Sequence, residues 1–324
     1  MMSEHILRAF LLDGAGGATP LAQDKLVGLD QVDGLVWLHF DGSRPEARDG
    51  LKAAFPKLDL LVLDALLDVE TRPRMTQIDN GVLLMLRGVN LNDGQEPEDM
   101  VSVSVWAEPS RIICVSHERV RAVGDLEALL QSGKGPKDTG QFLSMLCKRL
   151  IQRLEPTLSA LDDATDAIEE QVLVTPDVSL REQIVDVRGQ AIAFRRYLVP
   201  QRDAIDLLLL ADIDWLGDRH LRHFQESYNH VTRYVEDLDA IRERCQIVKD
   251  EIAHALADRL NRQMYVLSVI TAIFLPLSFL TGLLGINIGG IPGAESGSAF
   301  WIFLGLLAGL VALQVAIFKW LKWF

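Results

Sequence analysis

Polar and small side chains recur along one uncharged stretch near the C-terminus. Met264 to Ile286 contains no Asp, Glu, Lys or Arg. A helix in lipid turns a polar face toward protein or water, so such a face indicates either tight helix packing or the lining of a water-filled path. The residues that share this face, spaced three or four apart, are Asn261, Met264, Ser268, Thr271, Leu275, Ser278, Gly282 and Gly285.

The same stretch ends in Gly285-Ile286-Asn287, followed by a glycine-rich linker. If the helix ends near Ile286, its unpaired carbonyls and the negative end of its dipole lie beside the Asn287 amide. Several such ends would form a cation site without any full charge, and Glu295 would add a carboxylate outside it. Because two helices cannot enclose a path, this interpretation requires several chains.

A second uncharged run, Ala299 to Phe318, follows the linker. Both runs have the length of roughly 20 residues that a helix needs to cross about 30 Å of hydrocarbon. The sequence therefore predicts two transmembrane helices; two buried helices of a soluble protein are the alternative. The second helix has a G-x-x-x-G pair at Gly305 and Gly309, suited to close packing, and Gln314 as its one polar residue, which is typical of an outer, supporting helix.

Flanking charges predict the orientation of these helices. Arg259 and Arg262 precede the first run, Lys319 and Lys322 follow the second, and the linker contains no Lys or Arg. The positive-inside rule then places both termini in the cytoplasm.

The region before the first span predicts an α+β cytoplasmic domain followed by long helices. Asn80-Gly81 and Glu108 to Ser110 are hairpin signals between β-rich runs, and helical pieces are expected around Leu51 and at Leu60 to Leu67. A helix that begins near Asp218 has no evident stop before Ile286. We divide the chain into a domain at 1–137, long helices at 138–217, a stalk at 218–263, spans at 264–286 and 299–318, a periplasmic loop at 287–298 and a cytoplasmic tail at 319–324.

Acidic and histidine residues along the stalk are candidates for a cytoplasmic funnel or for metal binding. Histidines in such positions are otherwise solvated or packed against a neighbouring helix. The net charge of −13 fits a vestibule that gathers cations and argues against nucleic acid as a partner. The candidates are Asp250, His254 and Asp258 on one face, and His220, His223 and His230 on another, near Asp218.

The Gly285-Ile286-Asn287 ending resembles the CorA family of divalent-cation transporters, whose pore helix ends in Gly-Met-Asn before a short loop and a second helix. Pro276 in "FLPLSFLTG" and the stretch "YLVPQRDA" at 197–204 also match the family. Isoleucine in the triplet, with "GGIPG" after it, is similar to the zinc-transporting ZntB branch.

The resemblance implies a homopentamer in the bacterial inner membrane, with a pore along its axis and no catalytic cofactor. Transported Zn²⁺ or another divalent cation would pass the selectivity filter Gly285, Ile286 and Asn287. Any coupling to protons would use groups at the ends of the path, such as Asp250, His254, Asp258 or Glu295. The resemblance implies a pore lined by Asn261, Met264, Thr271, Leu275, Ser278 and Gly282.

Two alternatives stay open at the level of sequence. Zinc ordinarily prefers histidine nitrogen and cysteine sulfur, and neither the spans nor the loop contains His or Cys. A hydrated cation held through its waters is therefore expected, which leaves a magnesium or cobalt channel possible. A membrane-tethered sensor or enzyme is the other alternative, but the chain contains no G-x-G-x-x-G, Walker lysine, G-x-S-x-G or H-E-x-x-H motif, so we expect no enzyme.

Overall fold

The computed structural model describes residues 5–22, 26–29, 32–69, 72–174, 177–285, 293 and 296–320. The chain divides into two compact units, Met1–Asp250 and Glu251–Phe324. The first unit holds a mixed sheet with helices on both faces and the long helices that follow it, which confirms the predicted α+β class.

A seven-stranded sheet forms the centre of the first unit, with the order β2-β1-β3-β7-β6-β5-β4. Among the described strands, β3 and β7 alone pair in parallel, and the other five pairings are antiparallel. The parallel pair joins two antiparallel groups that are far apart in the chain. The strands are β1 Ile6–Leu12, β2 Ala18–Pro20, β3 Leu35–Asp41, β4 Arg74–Ile78, β5 Gly81–Gly88, β6 Val101–Glu108 and β7 Arg111–Ser116.

Both predicted hairpins are present. Asp79 and Asn80 connect β4 to β5, and Asp79 has a φ of 49°, in the left-handed region that tight hairpins require. Gly81 is the first residue of β5, where an added Cβ would lie 2.3 Å from the Trp106 ring. Glycine is therefore needed there for the close approach of β6. Pro109 and Ser110 connect β6 to β7.

Helices cover both faces of the sheet. The helices α1 Ala47–Ala54 and α2 Leu60–Leu67, both predicted, pack on one face against Val36, Leu38 and Phe40 of β3. On the other face Trp37 meets Phe142 of the next long helix edge-on, with 5.0 Å between ring centroids. This alternation along β3 is the two-residue period of a strand buried on both sides.

Three helices follow the sheet: α3 Arg121–Gln131, α4 Thr139–Val174 and α5 Val178–Leu210. The helix α3 is not predicted from the sequence, because its interior Gly124 weakens the helical signal. The "YLVPQRDA" stretch lies in α5, where Gln201 Oε1 accepts a hydrogen bond of 2.7 Å from the Arg87 backbone N–H of β5. The Tyr197 ring lies 4.7 Å from the Arg87 guanidinium carbon. This stretch therefore holds α5 on the sheet.

Helix α6 runs without a break from Asp218 to Leu284, and α7 spans Ala299–Trp320. The structure thus confirms that the stalk and the first apolar segment are one helix. Within the first unit, Arg244 of α6 contacts three carboxylates of α4. It lies 2.9 Å from Asp162 and 2.6 Å from Glu169, and it also pairs with Asp166. Glu169 and, to a smaller extent, Asp166 raise the pKa of Arg244.

Candidate cation pathway

The polar face of α6 predicted from sequence is exposed along its whole length in the second unit. Met264 and Leu275 are 66% and 68% exposed. The remaining members of this face, Asn261, Ser268, Thr271, Ser278, Gly282 and Gly285, are exposed as well. No described residue of the single chain therefore covers this face.

The opposite side of α6 has reduced exposure and lies toward α7. Val269 is 8% exposed, and Ile273, Pro276 and Leu280, which share its side of the helix, are half-buried. Ser278 is nine residues from Val269, or about two and a half turns of an α-helix, so the two project in opposite directions. The polar face is thus turned away from the side that packs within the chain.

Helix α7 presents a matching stripe of covered residues. Residues that are not fully exposed recur every three or four positions, with Val311 beside Leu310; they are Ala299, Phe303, Leu307, Leu310, Val311, Gln314 and Phe318. Gln314 Nε2 donates a 3.3 Å hydrogen bond to the Ala272 carbonyl of α6. Gly305 and Gly309 are exposed, with no atom within 4 Å of an added Cβ. The G-x-x-x-G pair therefore does not form the contact between α6 and α7.

Hydroxyl groups of α6 form hydrogen bonds with its own backbone. Thr271 Oγ1 donates to the Leu267 carbonyl at 2.8 Å, and Thr281 Oγ1 donates to the Leu277 carbonyl at 3.0 Å. Each bond occupies the hydroxyl proton and leaves lone pairs on the oxygen. The exposed Thr271 oxygen can therefore accept a hydrogen bond from the water shell of a cation.

Gly285 directly follows Leu284, the last residue of α6. Its backbone N–H donates to the Thr281 carbonyl at 2.9 Å, and an added Cβ would lie 2.7 Å from that same oxygen. Glycine is therefore the residue that fits this tight final turn. Ile286, Asn287 and Glu295 lie outside the described residues, so their roles in the filter and at its entrance stay predictions.

The funnel candidates Asp250, His254 and Asp258 are exposed along α6. The stalk histidines each have a different neighbour. His220 Nε2 lies 3.1 Å from the Asp138 carboxylate, His223 lies 3.8 Å from Glu226, and His230 lies 3.4 Å from Arg233. Within the described ranges, no three His, Cys, Asp or Glu side chains come together as a metal site.

A buried polar chain in the first unit carries no sequence signal. The His39 ring contacts Ser116 Oγ at 2.9 Å and Arg8 at 3.0 Å, and Arg8 pairs with Glu127 at 2.6 Å. Burial, with the Arg8 charge beside it, lowers the pKa of His39 to about 3. Pairing of β1, β3 and β7 brings Arg8, His39 and Ser116 together, and Glu127 reaches Arg8 from α3. Spacing along the chain reveals neither arrangement.

Comparison with known proteins relates the whole chain to cation transporters. A family model described as "CorA-like Mg²⁺ transporter protein" matches residues 32–320. The divalent cation transporter CmaX of Pseudomonas aeruginosa is 37% identical, over 98% of this chain and 96% of the relative. The zinc transport protein ZntB of Yersinia pseudotuberculosis is 34% identical, over 97% of this chain and 94% of the relative.

Solved structures have the same fold. The full-length CmaX structure matches with a TM-score of 0.86 at 37% identity and covers 98% of both chains. The CorA magnesium transporter of Methanocaldococcus jannaschii matches with a TM-score of 0.82 at 19% identity, over 97% of this chain and 98% of that one, which shows the fold alone. Both α6 and α7 contain a segment long and apolar enough to cross a membrane. The chain belongs to the CorA-like family, and its activity is the transport of divalent cations, not catalysis.

Proposed function

We propose that several copies of this chain, a homopentamer by resemblance to the family, surround a pore that carries zinc across the bacterial inner membrane. The observation that carries this proposal is the direction of the polar face of α6. That face is exposed from Asn261 to Gly285 and lies opposite the side turned toward α7.

The energetics of a bilayer favour this assembly. Hydroxyl groups and exposed backbone facing lipid are costly, whereas apolar side chains are not. Assembly around an axis removes the Thr271 and Ser278 hydroxyls from lipid and leaves Phe274 and the outer face of α7 in contact with it. Two helices per chain are then enough to enclose a pore, because each copy contributes one α6 to the pore wall.

Asn287 is the proposed constriction. Its amide oxygen, together with the last carbonyls of α6, would hold the water shell of a cation, because neither span contains the His or Cys that zinc prefers. Zinc is favoured over magnesium and cobalt by the Gly-Ile-Asn triplet and by the similarity to proteins named ZntB. Magnesium or cobalt transport is the alternative, supported by the family description.

Uptake into proteoliposomes that contain only this protein tests the cation. Zinc, magnesium, cobalt and nickel are compared at equal free concentration, with and without a pH gradient. We expect zinc flux to exceed magnesium flux, and a dependence on the gradient would indicate proton coupling. Magnesium flux equal to or above zinc flux would assign the chain to the magnesium transporters of the family.

The oligomeric state in detergent tests the assembly. A pentamer by mass is expected in detergent. In the membrane, both termini are expected on the cytoplasmic side. A dimer would contradict a central pore and would favour a tethered sensor with a dimeric stalk.

A further inference from the structure

Pro276 lies inside the apolar part of α6, and the helix continues past it to Leu284. Proline has no backbone N–H, so the carbonyl four residues earlier, that of Ala272, loses its partner within the helix. Water satisfies such a carbonyl in a soluble protein. In the hydrocarbon of a bilayer there is no water, and an unsatisfied carbonyl is costly.

Gln314 of α7 supplies the missing donor. Its Nε2 donates to Ala272 O at 3.3 Å. Gln314 is the one polar residue between Ala299 and Phe318, which are otherwise apolar or glycine. Of its side-chain amide, Nε2 is bonded, while Oε1 is buried without a hydrogen-bond partner among the described residues. The carbonyl that Nε2 reaches is the one freed by Pro276.

The other two prolines inside helices lack such a partner among the described hydrogen bonds. Pro156 of α4 and Pro200 of α5 free the carbonyls of Gln152 and Arg196. Both of these residues are exposed in the first unit, where water can solvate the carbonyl. The donor from a second helix thus occurs at the proline that lies in a predicted membrane span.

We propose that Gln314 is a positioning residue for transport: its side-chain amide replaces the N–H that Pro276 lacks and fixes α6 against α7 at the point where the backbone ladder is interrupted. Thr271 directly precedes Ala272, and Leu275 directly precedes Pro276. Both Thr271 and Leu275 lie on the polar face of α6. A helix free to bend or rotate there would displace both side chains. Their role in the pathway rests on the proposed function, whereas the hydrogen bond itself does not.

A double-mutant cycle tests the replacement of the N–H. Pro276→Ala restores the backbone donor, so Ala272 O no longer needs Gln314. We expect Gln314→Leu to lower zinc flux about three- to tenfold, as for a hydrogen bond between membrane helices, and to lower the melting temperature of the detergent-solubilised protein. In the Pro276→Ala background, Gln314→Leu should change neither quantity. Val315→Leu, at an exposed neighbouring position, is the matched control and should resemble wild type.

A second variant keeps the proposal testable if Pro276→Ala does not assemble. Glu has nearly the shape of Gln, and in Gln314→Glu the protonated carboxyl can donate to Ala272 O while the ionised one cannot. Because the two apolar runs contain no Asp, Glu, Lys, Arg or His, this carboxyl would be their only such group. The melting temperature of the Gln314→Glu protein should fall with rising pH, relative to the melting temperatures of wild type and Gln314→Leu.

Equal losses from Gln314→Leu in both proline backgrounds would overturn the proposal, since they indicate a packing role. If the difference in melting temperature between Gln314→Glu and wild type did not change with pH, the proposal would be overturned as well. Coupling in melting temperature without coupling in flux would overturn the positioning role. The melting measurements need no transport, so a wrong cation or a wrong pore face leaves them unaffected and is distinguished from failure of this inference.

Discussion

At the scale of single residues, the membrane part of the proposed pathway offers oxygen atoms and the Met264 thioether, and it contains no His or Cys. The Thr271 hydroxyl donates to its own helix and keeps its lone pairs for an incoming partner. Zinc stripped of water would gain little from such ligands, because it prefers nitrogen and sulfur. The cation is therefore expected to keep its water shell, and contacts at the constriction to be made through that shell.

Asn287→Ala should abolish zinc uptake and leave the assembly intact. The substitution removes the proposed amide oxygen at the constriction and shortens one side chain per subunit. Uptake into proteoliposomes is measured beside the mass of the oligomer in detergent. Wild-type flux in a well-assembled variant would falsify the filter assignment.

His39 should make the first unit sensitive to acid. Its pKa is lowered to about 3 in the folded chain, from 6.5 in the ordinary state, because the ring is buried and lies beside Arg8. Between these values the unfolded chain binds the extra proton, so stability declines as pH falls. From pH 7 to pH 5 this residue alone should remove about 2 kcal/mol from the free energy of unfolding.

The measurement is the melting temperature of full-length protein in detergent at pH 7 and pH 5, for wild type and His39→Gln. The variant cannot gain a proton in this range, so its loss of stability should be smaller than that of wild type. An equal loss in the two proteins would show that other groups dominate the acid response.

At the scale of elements, α6 combines two surfaces with different partners. Its covered side faces α7, and none of the described residues of the single chain covers its polar face. Ser278→Phe should therefore block zinc flux, because a bulky ring on the polar face would narrow the pore. Ile270→Phe, at a position that is also exposed but lies off the polar face, is the matched control and should retain flux. Both variants are compared by initial uptake rate per assembled oligomer, and equal effects would favour helix packing over conduction.

The elements themselves could largely be predicted from sequence. The period of apolar residues and the absence of Gly and Pro between Asp218 and Met264 predicted that the stalk continues into the first span as one helix, and Asn80-Gly81 predicted a hairpin. Three features could not be predicted. The interior Gly124 weakens the helical pattern of α3. The parallel pairing of β3 with β7 joins segments more than 60 residues apart. The side of α7 that meets α6 contains Gln314 and not the glycine pair.

At the scale of the whole molecule, acidic charge dominates, with a net charge of −13. Part of that charge is already compensated within the chain, since Arg244 holds Asp162, Asp166 and Glu169. Those carboxylates are thus unsuited to collecting cations while Arg244 is bound. Exposed groups such as Asp250 and Asp258 remain for that role on the cytoplasmic side, and Glu295 for the outer side.

Glu295→Gln should raise the zinc concentration needed for half-maximal uptake and change the maximal rate little. In an assembly the substitution removes one negative charge per subunit around the proposed entrance, which lowers the local cation concentration without altering the constriction. The effect should shrink as salt rises, because the Debye length falls from about 10 Å at 0.1 M to about 3 Å at 1 M. Uptake is measured across zinc concentration at both ionic strengths, with Glu295→Asp as the charge-retaining control. A loss of maximal rate that is indifferent to salt would make Glu295 a direct ligand or a structural residue, and attraction by a ring of charge would then be the wrong account of this loop.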